Sequence, residues 1–229
     1  MIFGPSKMRI TVTGPSCDMQ FFKDTEPWVI AGNSIPVAID NDHLGLIVSG
    51  DEEDEKNVEE KFKKGRNSLF ALLGPAFAYK CLLSPSLQCH LWRTFTSSVM
   101  RSGLCALPLR HNHTQPLMAF HRKLLRGFLK LSQSSPIPAL YFLLGELPLQ
   151  GRLHLDVLSL FWSVWSNPES TTYNIVKYLL TMSSDNSRTW SIHLRHICRM
   201  YSMKDPLVLL QEDAWPQESL HQNPGHFLP

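Results

Sequence analysis

Leu117, Phe120, Leu124, Phe128 and Leu131 recur at spacings of 3, 4, 4 and 3. That repeat belongs to one face of a helix; in a strand, successive side chains would point to opposite faces. The segment is therefore expected to be a helix that buries this stripe. Arg122, Arg126 and Lys130 follow one another at spacings of 4 and 4. They form a positive rail expected on the side away from the stripe.

The same logic organises the rest of the chain around this helix. Asp51-Glu-Glu-Asp-Glu55 places acids where the helix dipole is positive, so a helix opens there. Val58, Phe62, Leu69 and Leu73 are its expected buried face, and Gly74-Pro75 its expected end. Ser84-Pro85 supplies a cap and a first-turn proline for a second helix. The buried face expected there is Leu87, Leu91, Phe95 and Val99.

Beyond these, Leu153 to Trp165 is apolar nearly all round except for Asp156, Ser159 and Ser163, and is expected at the centre of its domain. Thr171 to Met182 and Arg188 to Met203 are the remaining expected helices. In the last, Trp190, Leu194, Ile197 and Tyr201 are expected inside, with Arg188, Arg195 and Arg199 outside. From Glu212 on, Pro216, Pro224, Gly225 and Pro229 among polar neighbours read as a disordered tail.

Ahead of the helices the period changes. Met8 to Thr13, Trp28 to Ile30, Ile35 to Ile39 and Leu44 to Val48 are short β-type runs punctuated by Gly and Pro. The fold class expected is mainly α, with a short antiparallel β segment over residues 1–50. A helical bundle follows over 51–132, then a further helical region over 133–211 and the tail over 212–229.

Charge is segregated along the chain. Between Lys61 and Gly145 stand Lys61, Lys63, Lys64, Arg66, Lys80, Arg93, Arg101, Arg110, Arg122, Lys123, Arg126 and Lys130, with no Asp or Glu. The formal net charge of +2 conceals this block. A domain-sized stretch of one sign attracts polyanions, so nucleic-acid phosphates are the expected partner. The residues expected to make those contacts are Lys61, Lys63, Lys64, Arg66, Arg122, Lys123, Arg126 and Lys130. Trp92 and Phe95 are candidates for base stacking.

Other chemistries find little footing. Neither the GxSxG of a nucleophile elbow nor a Gly-rich phosphate loop occurs. His111 and His113, and His193, His196 and Cys198, lie close in sequence without CxxC or HExxH spacing, so no metal and no cofactor are expected. The five cysteines are odd in number and scattered, as reduced thiols inside a cell would be. No run approaches the roughly 20 apolar residues of a membrane span. Met1-Ile-Phe-Gly-Pro-Ser-Lys7 lacks the apolar core of a signal peptide, so the expected location is intracellular, cytoplasm or nucleus.

The order of these motifs resembles a known family. Met1-Ile-Phe-Gly4, the strand at Arg9-Ile-Thr-Val12, Ile35-Pro-Val37 and His43-Leu-Gly-Leu46 are similar to the end of the palm domain in reverse transcriptases of non-LTR (LINE-type) retrotransposons. His43 stands where that family usually has a tyrosine. Val58 to Leu73, with Lys63-Lys-Gly-Arg-Asn-Ser-Leu-Phe70, resembles the first thumb helix. Leu83-Ser-Pro85, Leu91-Trp-Arg-Thr-Phe95 and Val99-Met-Arg-Ser-Gly103 resemble the second, and Phe120-His-Arg-Lys-Leu-Leu-Arg126 the third. The resemblance covers residues 1–132 and extends more loosely to Gln211.

The resemblance implies a palm edge, a thumb and a connection region that hold a primer–template duplex, either RNA–DNA hybrid or DNA. The family's catalytic aromatic-x-Asp-Asp turn lies upstream of the segment resembled and does not occur in this sequence. A polymerase needs such paired carboxylates for its two metal ions, so no enzymatic activity is expected. The competing expectation is a helical protein–protein interaction module in which the basic block serves solubility or an acidic partner.

Overall fold

A computed structural model describes residues 10–11, 28–30, 32–38, 40–43, 45–49, 53–78, 83–182 and 189–211. It divides the chain into two units, Met1–Gly151 and Arg152–Pro229. The fold is mainly helical with a short β segment at the start. The expected tail over 212–229, Arg188 and Lys80 lie outside the described residues.

Among the described residues, the β segment consists of three two-stranded pairs. β1 (Ile10–Thr11) pairs with β4 (Val37–Ala38), β2 (Trp28–Ile30) with β3 (Asn33–Ile35), and β5 (Asp40–His43) with β6 (Leu46–Ser49). The last two pairs are antiparallel, as expected, whereas β1–β4 is parallel. Gly32 at φ 77° and Gly45 at φ 79° close the two hairpins, a conformation open to glycine at little steric cost. The expected run Ile35 to Ile39 is interrupted at Pro36, which has no N–H to give a ladder. Asp40–His43 was not expected as a strand, because its polar sequence gives no apolar alternation.

Helix α1 (Glu53–Ala78) opens on Glu53, Asp54 and Glu55 and buries Val58, Leu69 and Leu73. It continues past Gly74-Pro75, the expected stop, to Ala78. Two side chains fasten the β5–β6 hairpin to it. Asn57 Nδ2 donates to the Ile47 carbonyl at 2.7 Å, while its Oδ1 accepts the Ile47 amide at 2.8 Å. Lys56 Nζ donates to Asp40 at 2.7 Å and to Ser49 Oγ at 2.8 Å.

The second expected helix has three parts: α2 (Pro85–Leu91), a π-helical turn (Trp92–Thr96) and α3 (Ser97–Arg101). Ser84 caps it, accepting the Leu87 amide at 3.3 Å. Its buried face is not the expected one. Leu87 and Phe95 are exposed; Cys89, Trp92, Thr96, Ser97 and Met100 are buried. The wide π turn shifts the register of everything after Leu91, so a constant 3.6-residue repeat misplaces the face.

Helix α4 (His111–Leu129) corrects the opening stripe in a similar way. Leu117 and Phe128 are buried, but Leu124 and Phe120 are half-buried and Leu131 is exposed beyond the helix end. The centre of the buried face is His121 and Leu125, neither of which has measurable exposure. His121 stacks on Trp92 with ring centroids 5.1 Å apart and an interplanar angle of 17°. A polar residue at the heart of the stripe displaced the expected centre by one position. Lys130 ends the helix at φ 54°, and the Leu131 amide reaches back to the Arg126 carbonyl at 2.9 Å.

Helix α5 (Ile137–Leu144) falls in the expected helical region over 133–211 but has no counterpart among the individual helices expected there. It packs on α4 and buries Leu140. Gly145 caps it at φ 57°.

In the second unit, α6 (Leu149–Trp165, which starts just ahead of the unit boundary), α7 (Thr171–Met182) and α8 (Trp190–Met200) take the expected order, followed by a short α9 (Pro206–Gln211). Pro206 is the first residue of α9, a position where its missing N–H is harmless. Val157, Phe161, Leu180, Leu194, Ile197 and Leu210 are buried here. The expected all-round burial of α6 fails at Leu155 and Trp162, which are exposed. Tyr201, expected inside, is exposed. Arg195, expected outside, is half-buried and donates to the Leu180 carbonyl at 2.8 Å.

Candidate nucleic-acid interface

The helices sort the eight expected phosphate-binding residues into different environments. Lys61 sits on the buried side of α1, one turn from Val58 and Gly65, and is 6% exposed. Its Nζ donates to Ser102 Oγ at 2.9 Å. Burial pushes its pKa down, Lys64 adds to the shift and Glu60 opposes it. Lys61 is therefore a packing residue between α1 and the turn after α3, and the expectation that it meets phosphate is corrected. Its long stem made it compatible with burial, which the sign of its charge concealed.

Lys63 and Lys64 are exposed. Lys64 pairs with Glu60, one turn back, at 3.2 Å. The Arg66 guanidinium lies over the Phe62 ring, 5.6 Å from its centroid.

On α4 the straight rail is also corrected. Arg122 and Arg126 are half-buried on the flank of the packed face, because they follow His121 and Leu125 directly. Both act on the Tyr141 phenol of α5, whose pKa burial raises and the two arginines pull down. Arg126 Nη2 donates to the Ser135 carbonyl at 3.2 Å. Lys123 lies on the exposed strip, and Lys130 is exposed at the helix cap. Lys123, Arg126, Gly127, Leu131 and Gln133 line an open groove of about 390 Å³.

The acid-free stretch of sequence is not acid-free in space. Asp54 from the start of α1 lies 3.8 Å from Arg110 and 3.0 Å from His113. Glu146, the first residue after the block, takes Arg93 at 2.7 Å. Among the described residues, Lys63, Arg66, Arg122, Lys123, Arg126 and Lys130 are left without a carboxylate partner.

Trp92 is fully buried against His121, so it is no stacking platform; Phe95 is about half exposed. His193 is half-buried beside His154, their ring centroids 6.5 Å apart, and burial lowers its pKa to about 4. Burial pushes the Cys198 thiol up to about 11, which leaves it protonated at neutral pH. Among the described residues, no group of three His, Cys, Asp or Glu side chains is placed to hold a metal ion. No described helix is long and apolar enough to cross a membrane. Sequence reasoning missed the Arg126–Ser135 contact, since it depends on the tight turn of Ser132 to Ser135 after α4.

The chain matches no family model, no curated protein and no solved structure.

Proposed function

We propose that the chain is a non-catalytic C-terminal part of a retroelement RNA-directed DNA polymerase, and that its thumb-like bundle over 51–132 grips a primer–template duplex by its backbone phosphates. One observation carries this reading: six basic side chains on α1, α4 and the α4 cap keep their charge after the neighbouring acids have taken partners. The order of palm-edge and thumb motifs supports it. The chain performs no chemistry on this reading, because the aromatic-x-Asp-Asp turn is not in its sequence. Charge against charge needs no cofactor. The partner is an RNA–DNA hybrid or a duplex, in the cytoplasm or nucleus.

The test is hybrid binding followed by fluorescence anisotropy across a salt series. Each phosphate contact contributes roughly −0.7 to −0.9 to the slope of log K against log salt. Binding through most of the six cations predicts a slope of about −3 to −5, alike for unrelated sequences. A flat salt response overturns the reading.

A second reading is favoured by one feature of the second unit. Ile175, Tyr178, Leu179 and Met182 of α7 lie on one face and are all exposed. A helical protein–protein interaction module with no nucleic-acid role would use such a stripe.

A further inference from the structure

The loop from Lys130 to Pro136 joins α4 to α5 and holds Ser132, Ser134 and Ser135. Ser132 Oγ lies 2.7 Å from Ser134 Oγ and 3.4 Å from Ser135 Oγ. Ser135 precedes Pro136, whose φ of −63° and ψ of 132° make the backbone extended there. The Arg126 guanidinium already bonds the Ser135 carbonyl at 3.2 Å. Arg126 and Lys123 also line the basic groove.

We propose that Ser135 is a phosphoacceptor for a proline-directed serine kinase, and that Arg126 and Lys123 hold its phosphate and so close the basic groove to nucleic acid. In the transfer, Ser135 Oγ attacks the γ-phosphorus of ATP. The bond from that phosphorus to the bridging oxygen breaks, ADP leaves with the electron pair, and the hydroxyl proton passes to a base of the kinase. The product carries about −1.5 to −2 charges and acceptor oxygens suited to a guanidinium. The start of α5 adds its favourable dipole end. The other Ser-Pro pair, Ser84-Pro85, is built differently. Its hydroxyl caps α2, and no arginine or lysine among the described residues bonds it.

The regulatory half of this proposal rests on the nucleic-acid reading above; capture of the phosphate by Arg126 does not. Intact protein is treated with a proline-directed kinase and ATP, mapped by mass spectrometry, titrated by phosphorus NMR and assayed for hybrid binding. The label is expected on Ser135 and lost in Ser135→Ala. The phosphoserine second pKa is expected below its ordinary value of about 6, returning towards it in Arg126→Gln and staying low in Arg126→Lys. Hybrid affinity at fixed salt is expected to fall about tenfold, with a salt slope shallower by roughly one to two. An unlabelled Ser135 overturns the proposal, as does a pKa indifferent to Arg126. So does unchanged binding by phosphorylated protein when the unmodified protein binds. If the unmodified protein does not bind hybrid at all, the functional reading falls, and the label and pKa alone decide whether Arg126 captures phosphate.

Discussion

Arg93 donates from Nε and Nη2 to one oxygen of Glu146, at 3.0 and 2.7 Å, and the carboxylate it meets is fully buried. The pair joins the π turn after α2 to the cap of α5, where Arg93 Nη2 also reaches the Gly145 carbonyl at 3.3 Å. Cys89 Sγ approaches the same oxygen at 3.3 Å. Glu146 thus anchors two helices from a position one residue beyond the acid-free block.

Arg93→Ala removes the cation and leaves the carboxylate inside. Breaking a fully buried pair from one side costs about 3–5 kcal/mol, and the partial exposure of Arg93 lowers the expectation here to about 2–3 kcal/mol. A denaturant titration measures it. A loss below about 0.5 kcal/mol would show that water replaces the guanidinium without penalty.

Leu125 and Leu124 are neighbours with different surroundings, the first fully buried and the second half-buried. Leu125→Ala is expected to cost about 2–5 kcal/mol, in the range of cavity-forming core substitutions. Leu124→Ala is expected to cost about 1 kcal/mol. Equal losses by urea titration would mean that the stripe is centred where a simple apolar reading puts it.

How much was legible follows from these residues. The longer helices were readable because each carries an apolar repeat, and α7 has the limits that the sequence implied, whereas α5 and α9 are too short for a repeat to declare them. Rotation about the helix axis was not. His121 is counted as polar but stacks inside on Trp92, and the π turn at Trp92–Thr96 breaks the period on which the reading depends. Gly65 shows the same limit. A Cβ there would collide with Met100, so α1 and α3 cross closely at a residue that looks like a weak point in a helix. At the candidate interface, net charge along the chain identified the basic residues. It could not say which acids fold back onto them, since Asp54 and Glu146 lie far from Arg110 and Arg93 in sequence.

The second unit should respond to acid. Burial first, then His154 and His196, depress the His193 pKa to about 4, and burial lowers His154 as well. A depressed folded-state pKa means that the unfolded chain takes up the proton more readily. The associated stability is whole above about pH 6.5 and is lost as pH falls towards 4, where His193 itself titrates. The loss is of order 2–3 kcal/mol for His193 after allowance for its partial exposure. His193→Gln should flatten the dependence of the urea midpoint on pH between about 6.5 and 4. A wild-type midpoint that is constant across this window would mean that His193 is solvated.

Lys61 separates a cation that packs from one that meets phosphate. Its ammonium is held by Ser102 and its stem lies inside, whereas Lys63, two residues on, is exposed. Lys61→Met keeps the length of the stem and removes the cost of burying the charge, so stability should hold or rise by about 1 kcal/mol. The salt slope of hybrid binding should stay unchanged in this variant, because Lys61 releases no counterion on binding. Lys63→Gln should leave the melting temperature alone and make the slope shallower by roughly 0.7 to 0.9. Adding Lys123→Gln and Lys130→Gln should extend that change to roughly two to three in total. If Lys61→Met shifts the slope while the triple variant does not, the basic residues that meet nucleic acid are not those left exposed on α1 and α4. If neither variant changes the slope, the protein-partner reading, with its exposed stripe on α7, leads.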